Sequence, residues 1–234
     1  MGTDCSYDQL LSLVKKRRSV RHFRQDPIPE GYVERMIEIA RWAPSGFHSQ
    51  PWEFVIIRDK TVKERVAAAV SAGPPAPAMR DDADPSRSRI KPGFADAPVF
   101  IFLGGDWRAR IQFPNKPQRD RERDEAEIFL SSLASAFLYL HLAATSLGLV
   151  SQWCSMAARG ESGQAVRKIL GLPDYIGSYD MMAVGYPAEP PMPKKLRSVG
   201  DMTHYDACGP EDFRTPERLE ADTREFTEWC VQAH

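Results

Sequence analysis

A dense basic segment near the start of the chain could bind phosphate. The segment, residues 15–21, reads Lys-Lys-Arg-Arg-Ser-Val-Arg and places cations around a hydroxyl group. Guanidinium groups present rigid forks of donors that match phosphate oxygens, and a nearby hydroxyl adds another donor. Two other interpretations stay open on the segment alone. It could be a solvated helix end, or a patch for nucleic acid or localisation.

The balance of charge argues against nucleic acid as a partner. The 234 residues include 31 basic and 32 acidic side chains, and the formal net charge is −1. Proteins that grip nucleic acid normally carry a basic surplus. With 42% hydrophobic and 27% charged residues, the composition is that of a globular protein. We expect one domain over residues 1–234, long enough to bury a sizeable core.

Three other groups of residues could complete a site with the basic segment. A loop of small and polar residues runs from Ala43 to Trp52, a polar strand exit lies around Trp153, and a second basic group spans Lys195 to Arg197. FMN needs a phosphate clamp, backbone donors near its reactive ring, amide-type groups at its pyrimidine edge, and an apolar shelf. The four groups together supply these features.

Other catalytic and metal-binding patterns are missing from the sequence. It contains no G-x-S-x-G or G-x-G-x-x-G motif, the marks of a serine nucleophile and a phosphate loop. No two histidines share the i, i+4 spacing of a helical metal-ligand pair. We interpret His141 as a satisfied histidine of the core. The histidines are His22, His48, His141, His204 and His234.

The cysteines suggest a reducing compartment. Cys5, Cys154, Cys208 and Cys230 are scattered, without metal-ligand spacing or a disulfide framework, which predicts a cytoplasmic protein. Cys154 lacks a local activating partner, so a packing or backbone role is favoured over a nucleophilic one. No uninterrupted apolar run approaches the roughly 20 residues that span a bilayer, so no membrane association is expected.

Hydrophobic periodicity predicts a mixture of helices and strands. The predicted strands are Glu53–Arg58, Ala97–Gly104 and Tyr179–Pro187, with Leu149–Ser155 either a strand or an extended loop. The predicted helices are Tyr7–Lys16, a helix opening at Pro29 or Glu30 and stopping before Pro44, Lys60–Ala72, Asp124–Leu147, a short helix from Ser162 or Gly163 to Leu170, and Thr215–Gln232.

The remaining segments are predicted loops and an arm. Residues 73–94 and 106–123 lack a clear pattern and are expected to form mobile loops on the substrate side. The long helix that starts at Asp124 is too apolar for an exposed surface. We therefore expect a homodimer, in which residues 203–234 form a C-terminal arm that reaches the other subunit.

The ordered motifs resemble those of the nitroreductase superfamily of FMN enzymes. They are R-R-S-V-R-H-F at 17–23, A-P-S-G-F-H-S-Q-P-W at 43–52, D-A-P-V at 96–99, G-L-V-S-Q-W at 148–153, and V-G-Y-P at 184–187 followed by Lys195 and Arg197. The resemblance covers almost the whole chain. It implies an α+β fold with a central, mainly antiparallel or mixed sheet flanked by helices, and a C-terminal extension that reaches the partner subunit.

The resemblance also implies the residues that bind FMN. The phosphate, ribityl chain and pyrimidine edge would be held by Arg17, Arg18, Ser19 and Arg21, with Arg197 closing the clamp and Lys195 assisting. The residues expected in the 43–52 loop are Pro44, Ser45, His48 and Gln50, which would approach the flavin across a homodimer interface. The residues beside the isoalloxazine would be Trp153, Cys154 and Ser155. Because the flavin carries the redox chemistry, no catalytic side chain is assigned.

The activity implied by the resemblance is that of an FMN-dependent NAD(P)H oxidoreductase. Its substrate would be a nitroaromatic, quinone, enone or related small aromatic. His48 stands where many members carry asparagine, and P-S-G-F-H is closer to the iodotyrosine deiodinase branch. An alternative is therefore reductive dehalogenation of an aromatic, or a flavin-fragmenting reaction. The segment from Ala67 to Phe94 lacks the Glu, Tyr and Lys arrangement that grips an amino-acid zwitterion in that branch.

Overall fold

The computed structural model describes residues 6–72, 93–191, 194 and 196–232. The chain divides into two compact units, one formed by residues 1–75 and 82–191 and the other by residues 76–81 and 192–234. The predicted loop at residues 73–92 and Lys195 lie outside the described residues. The single domain over residues 1–234 and the arm that reaches a partner both stay predictions.

The first unit is built on an antiparallel sheet. Its strands in the described part of the chain are β1 (Phe23–Arg24), β2 (Trp52–Ile57), β3 (Val99–Asp106), β4 (Val150–Cys154) and β5 (Ile176–Pro187). The order is β1-β5-β3-β2, and β4 also pairs with β5. One edge of β5 pairs with β3, while its other edge is shared by β4 and β1. All these pairings are antiparallel, which confirms the predicted fold class.

Most helices agree closely with the predicted spans. They are α1 (Tyr7–Lys16), α2 (Tyr32–Ala40), α3 (Lys60–Ser71), α4 (Gln118–Ser146), α5 (Gly160–Leu170) and α6 (Pro216–Gln232). Their ends follow local chemistry. The Asp59 side chain accepts a hydrogen bond from the Val62 amide at 2.8 Å at the start of α3, and Gly171, with φ of 65°, ends α5 in the left-handed region that glycine adopts readily.

The core lies on both faces of the sheet. Along β3, Ile101 and Leu103 pack into a cluster with α2 and α4, whereas Phe100 and Phe102 pack into a second cluster with α3 and α5. This alternation is the period of two expected when a strand is covered on both faces. The sheet is therefore a buried central layer between two helical layers.

The start of α4 is a correction to the sequence prediction. The helix begins at Gln118 rather than at Asp124, and Asp106 is the last residue of β3, so the predicted loop of residues 106–123 is shorter at both ends. The many charged residues of this segment led to its prediction as a loop, but some of them form i, i+4 ion pairs that support a helix. Arg121 and Arg123 lie 3.9 and 3.8 Å from the glutamates one turn later.

The two-residue strand β1 is a second correction. Phe23 and Arg24 pair with Pro187 and Tyr186 at the end of β5. Two residues carry too little periodicity to be recognised as a strand from sequence. The pairing extends the basic segment directly into the sheet.

Helix α4 is the central helix of the first unit. Among the described residues it alone is long and apolar enough to cross a membrane by length and composition, and half of its most apolar 18-residue stretch is buried inside the protein. The buried residues include Phe129, Leu133, Phe137 and Leu140. This burial is that of a core helix.

The second unit consists of short helical turns and α6. Arg214 and Arg218 both pair with Asp222, at 3.0 and 2.8 Å. The rings of His204 and Phe213 lie 5.1 Å apart between centroids. All of these contacts join residues of the second unit to one another.

Candidate functional site

The basic segment is fixed to the sheet through its backbone. The Val20 amide donates a hydrogen bond to the Ser151 carbonyl at 3.1 Å, and Ser19 forms an isolated parallel bridge with Ser151. Val20 and Phe23 are buried, whereas Ser19 and Arg21 are exposed. The extended backbone therefore presents Ser19 and Arg21 outward beside β4.

Arg17 is the half-buried cation of the segment. Burial, and after it the charge of Arg18, lowers the pKa of Arg17. Its guanidinium makes no hydrogen bond or ion pair with another residue in the described part of the chain. By contrast, the Arg18 guanidinium donates to the carbonyl groups of Lys15 and Arg17. Lys15 and Lys16 are exposed, as expected for solvated charges.

Cys154, at the end of β4, has the properties of a packing residue. It is buried in the cluster that includes Met181 and Ala183. Burial raises the pKa of the Cys154 thiol to about 12. Since the thiolate is the nucleophilic form, the thiol is inert at neutral pH. The neighbours Trp153 and Ser155 remain partly accessible.

His141 packs behind Trp153 and was missed as a site residue. The two rings are stacked, with centroids 5.4 Å apart and an angle of 10° between planes. His141 Nδ1 lies 2.6 Å from the Ser151 hydroxyl oxygen, but Nε2 has no hydrogen-bond partner among the described residues. His141 is thus a buried core histidine, as predicted, but only one of its two ring nitrogens has a hydrogen-bond partner among the described residues.

The electrostatics keep His141 neutral. Burial, with the charge of Arg17 adding to it, lowers the pKa of His141 to about 3. At neutral pH the imidazole of His141 therefore adds no positive charge beside Arg17.

Asp180, on β5, is the second buried titratable group near Trp153. Its carboxylate accepts a hydrogen bond from Trp153 Nε1 and lies 3.7 Å from an Arg159 guanidinium nitrogen. Burial raises the pKa of Asp180, while Trp153, Arg159 and Ser155 pull it back in part. Asp180 Oδ1 has no hydrogen-bond partner among the described residues. The carboxyl group fixes the Trp153 ring and holds Arg159 near it.

The 43–52 loop has an unusual backbone. Phe47, His48 and Gln50 all have positive φ, at 52°, 59° and 45°, a region that residues other than glycine seldom adopt. The Ser45 hydroxyl accepts a hydrogen bond from the Gln50 amide at 3.1 Å. The side chains of Pro44, His48 and Gln50 are exposed. The loop therefore points polar groups outward from a tightly turned backbone.

Gly46 fixes the loop to α4. Its amide donates to the Ser132 hydroxyl at 3.0 Å, and a Cβ at this position would lie 2.1 Å from Ile128 Cγ2. The contact is near the middle of α4, while Arg17 of the basic segment acts on His141 nearer the C-terminal end of the helix. Because an α-helix rises 1.5 Å per residue, Ser132 and His141 are about 13 Å apart along its axis. The loop and the basic segment therefore lie beside α4 at different positions along its length.

Arg197 belongs to the second unit. Its guanidinium donates to the Asp201 carbonyl group, and the Asp201 amide donates to the Ser198 hydroxyl at 3.1 Å. Arg197 is exposed. The phosphate clamp that would join Arg197 and Lys195 to Arg17 stays a prediction.

The residues missed by sequence reasoning have no local signal. His141 reaches Ser151 across the turn between α4 and β4, and Trp153 reaches Asp180 through the pairing of β4 with β5. The register of β4 against β5, in which Trp153 lies opposite Met182, brings Trp153 to Asp180, and the packing of α4 beside β4 brings His141 to Ser151. A polar residue inside an apolar strand, as in D-M-M-A-V from Asp180, is the one hint that the sequence offered.

Comparison with known protein families gives one match over most of the chain. The profile of the nitroreductase family matches residues 14–186. The NADH dehydrogenase of Thermus thermophilus is 30% identical over 184 residues, which cover 74% of this chain and 84% of that protein.

Iodotyrosine deiodinases are similar in sequence over a short stretch and in fold over most of the chain. That of Nematostella vectensis is 39% identical over 57 residues, or 24% of this chain and 22% of that protein. A crystal structure of oxidised iodotyrosine deiodinase bound to FMN and 3-iodo-L-tyrosine superposes with a TM-score of 0.64. It covers 85% of this chain and 100% of that chain at 23% identity, which shows a shared fold.

Proposed function

The chain belongs to the nitroreductase family and is an oxidoreductase, and we propose that it binds FMN and takes electrons from NAD(P)H. Its substrate would be a nitroaromatic, quinone, enone or related small aromatic, reduced in a ping-pong reaction in the cytoplasm. When bound, FMN supplies the two-electron chemistry that links the nicotinamide to such an acceptor.

One observation carries this proposal. Arg17 is a half-buried cation without a protein partner among the described residues, beside the exposed Ser19 and Arg21 on a backbone held by Ser151. A guanidinium in this position gains from a phosphate, because a charge-assisted hydrogen bond offsets the cost of its burial. The donor set of the segment fits the phosphate and ribityl chain of FMN.

Each group of residues has a separate part in the proposed site. Arg17, Arg18, Ser19 and Arg21 would bind the phosphate, ribityl chain and pyrimidine edge, with Lys195 and Arg197 as further cations. The backbone of Trp153, Cys154 and Ser155 would lie beside the isoalloxazine. The stacking of His141 and the hydrogen bond of Asp180 would hold Trp153 in one orientation, so that this wall of the site stays rigid.

The proposed site is shared by two subunits. Leu130 and Leu138 of α4 are 43% and 47% exposed, and Phe47 of the loop is 75% exposed. Covering such apolar side chains favours association of two copies. The different positions of the loop and the basic segment along α4 support an arrangement in which Pro44, Ser45, His48 and Gln50 serve the FMN of the partner subunit. Sedimentation that shows a monomer with full FMN occupancy would refute this arrangement.

FMN binding is the first test of the proposal. The purified protein, loaded with FMN and desalted, is expected to be yellow, to retain FMN and to bleach when NADH or NADPH is added without oxygen. Recovery of the colour on addition of a nitroarene would establish turnover. A protein that stays colourless after incubation with FMN would contradict the proposal.

Reductive dehalogenation is the second candidate activity. It is supported by the local identity to iodotyrosine deiodinase and by His48 in the 43–52 loop. Steady-state assays with a nitroarene and with a halogenated phenol separate the two activities. Release of halide at a higher kcat/KM than nitroarene reduction would favour the second candidate.

A further inference from the structure

A cleft beside the β4 exit contains a cation that the proposed FMN site does not use. It has a volume of about 420 Å³ and lies between α4, the turn after β4, and β5. Leu130 and Ala134 of α4 line one side, and Tyr179 and Arg159 line the other. Arg159 follows Ser155 by one short helical turn, so the cleft adjoins the segment proposed to lie beside the isoalloxazine.

Arg159 is held in place by Asp180, but this contact leaves most of its hydrogen-bond donors unused. Its guanidinium lies 3.7 Å from Asp180 Oδ1, and its side chain is 62% exposed while that of Asp180 is 2% exposed. The other Asp180 oxygen is already hydrogen-bonded to Trp153. A guanidinium carries five N–H donors, so most of them remain directed at solvent in the cleft.

The wall opposite the α4 residues is aromatic. The Tyr179 ring lies 5.7 Å from Phe137 and 6.2 Å from Trp153 between centroids. Burial, and after it the charge of Asp180, raises the pKa of Tyr179, so its phenol group remains a hydrogen-bond donor. An aromatic ring lying between Leu130 and Tyr179 would place one edge near Arg159.

We infer that this cleft binds a small aromatic carboxylate, with its carboxylate on Arg159 and its ring between α4 and Tyr179. Arg159 is then a specificity-determining residue, and the substrates of the enzyme carry an anionic group on the ring. Planar carboxylates match the fork of a guanidinium in a bidentate geometry. The inference rests on the proposed function, because it makes this cleft the substrate side of the FMN site.

The proposed subunit interface strengthens this binding. Leu130 lines the cleft, and Leu138 lies two turns further along α4. Both are exposed apolar side chains assigned above to the interface. A second subunit on this face would exclude water from the mouth of the cleft. Exclusion of water strengthens the attraction between a guanidinium and a carboxylate.

Benzoate and benzamide test the inference, since they have nearly the same shape and differ in charge. Each is titrated calorimetrically into the FMN-loaded protein, into Arg159→Gln, and into Arg58→Gln. Arg58 is an exposed arginine paired with Glu34 at 3.2 Å and does not line the cleft, so it controls for the loss of one positive charge. Neither reporter needs to be reduced, so the measurement does not depend on turnover.

The expected result is a charge preference that depends on Arg159. Benzoate should bind the unmodified protein and Arg58→Gln at least about tenfold more tightly than benzamide does, the size of one charge-assisted hydrogen bond. In Arg159→Gln the two affinities should become equal. Arg159→Lys, which keeps a charge but loses the fork, should retain a smaller preference and serves if Arg159→Gln does not fold.

Failure of the inference is distinct from failure of the proposed function. Equal affinities in the unmodified protein, no binding of either reporter, or a preference that survives Arg159→Gln would overturn the inference. Retained FMN and NADH-dependent bleaching would leave the proposed function standing in that case. Conversely, a colourless protein that still prefers benzoate through Arg159 would contradict the proposed function and leave an aromatic carboxylate site.

Discussion

The basic segment and the 43–52 loop are both assigned to FMN, yet they are built differently. The basic segment is extended, is joined to β4 through the Val20 amide, and contains the half-buried Arg17. The loop has three residues with positive φ, and its polar side chains are exposed. Its own fixed point is Gly46, which packs on α4. One region therefore supplies charge, and the other supplies an unusual backbone shape.

The difference suggests that the two regions are complementary halves of a shared site. The α4 residues beside them, Ser132 and His141, are about 13 Å apart along the helix axis. Two copies arranged about α4 would bring the loop of one to the basic segment of the other. The substitutions below change the loop, the basic segment, or the α4 residues beside them.

The largest effect is expected from Gly46→Ala. The new Cβ would lie 2.1 Å from Ile128 Cγ2, so the loop or α4 must move. Overpacking of this kind costs up to about 3 kcal/mol of unfolding free energy. Thermal unfolding should show a lower midpoint, and FMN affinity should fall although the basic segment is unchanged. The control is Gly200→Ala, where the nearest atom to the new Cβ is Ser198 Oγ at 3.9 Å. Equal midpoints for the two variants would show that the loop is not fixed by Gly46.

Arg17→Gln should reduce FMN affinity without lowering stability. Loss of a hydrogen bond to a charged group costs about 2 kcal/mol, or roughly 30-fold in Kd. The matched control is Lys16→Gln at the exposed end of α1, which should change Kd by about twofold at most. Quenching of FMN fluorescence gives both values. Equal FMN affinities for the two variants would mean that the basic segment is a solvated helix end and does not bind the FMN phosphate.

His141 should make the unfolding free energy depend on pH. Its pKa is about 3 in the folded protein and about 6.5 in an unfolded chain. Below pH 6.5 the unfolded chain binds a proton that the folded protein does not, so this stability is present above pH 6.5 and is lost as the pH falls toward 3. The loss reaches about 2 kcal/mol at pH 5.

Urea unfolding at pH 7 and pH 5 measures this loss. His141→Gln should lose less stability between the two values than the unmodified protein. Asp180, whose raised pKa acts in the opposite direction, is present in both proteins and cancels. An identical pH dependence in His141→Gln would mean that the folded protein protonates His141 normally.

The smallest effect is expected from Ser132→Ala, which weakens the contact of the loop with α4. Ser132 and Ser135 both donate to the carbonyl group one turn earlier, at 2.8 and 2.9 Å, but only Ser132 also accepts from the Gly46 amide. The difference in unfolding free energy between Ser132→Ala and Ser135→Ala therefore isolates the loop bond, at about 1 kcal/mol. Equal unfolding free energies for the two variants would mean that the Gly46 amide forms a hydrogen bond with water when the Ser132 hydroxyl is removed.

The elements of the fold were more predictable than the contacts of the site. The bounds of α1 were predicted as observed, and β2, β3 and β5 differ from their predicted spans by a few residues. The start of α4 was mispredicted because its ion pairs form only once the helix exists. In the candidate site, Arg17, Ser19 and Arg21 were proposed from residue type and from the resemblance and stay predictions, whereas the orphaned Nε2 of His141 was not predicted.

The sequence by itself determined where most of the helices and strands lie, which family the motifs resemble, and that a set of side chains able to bind phosphate follows α1. These properties follow from periodicity and from residue type at short spacing, which do not require the chain to be folded. Only the tertiary structure decided which groups face each other around Trp153. The His141–Ser151 pair, the Trp153–Asp180 bond and the Arg159–Asp180 pair depend on the packing of α4 and on the register of β4 with β5. The tertiary structure also decided where the loop and the basic segment lie along α4, beside Ser132 and beside His141.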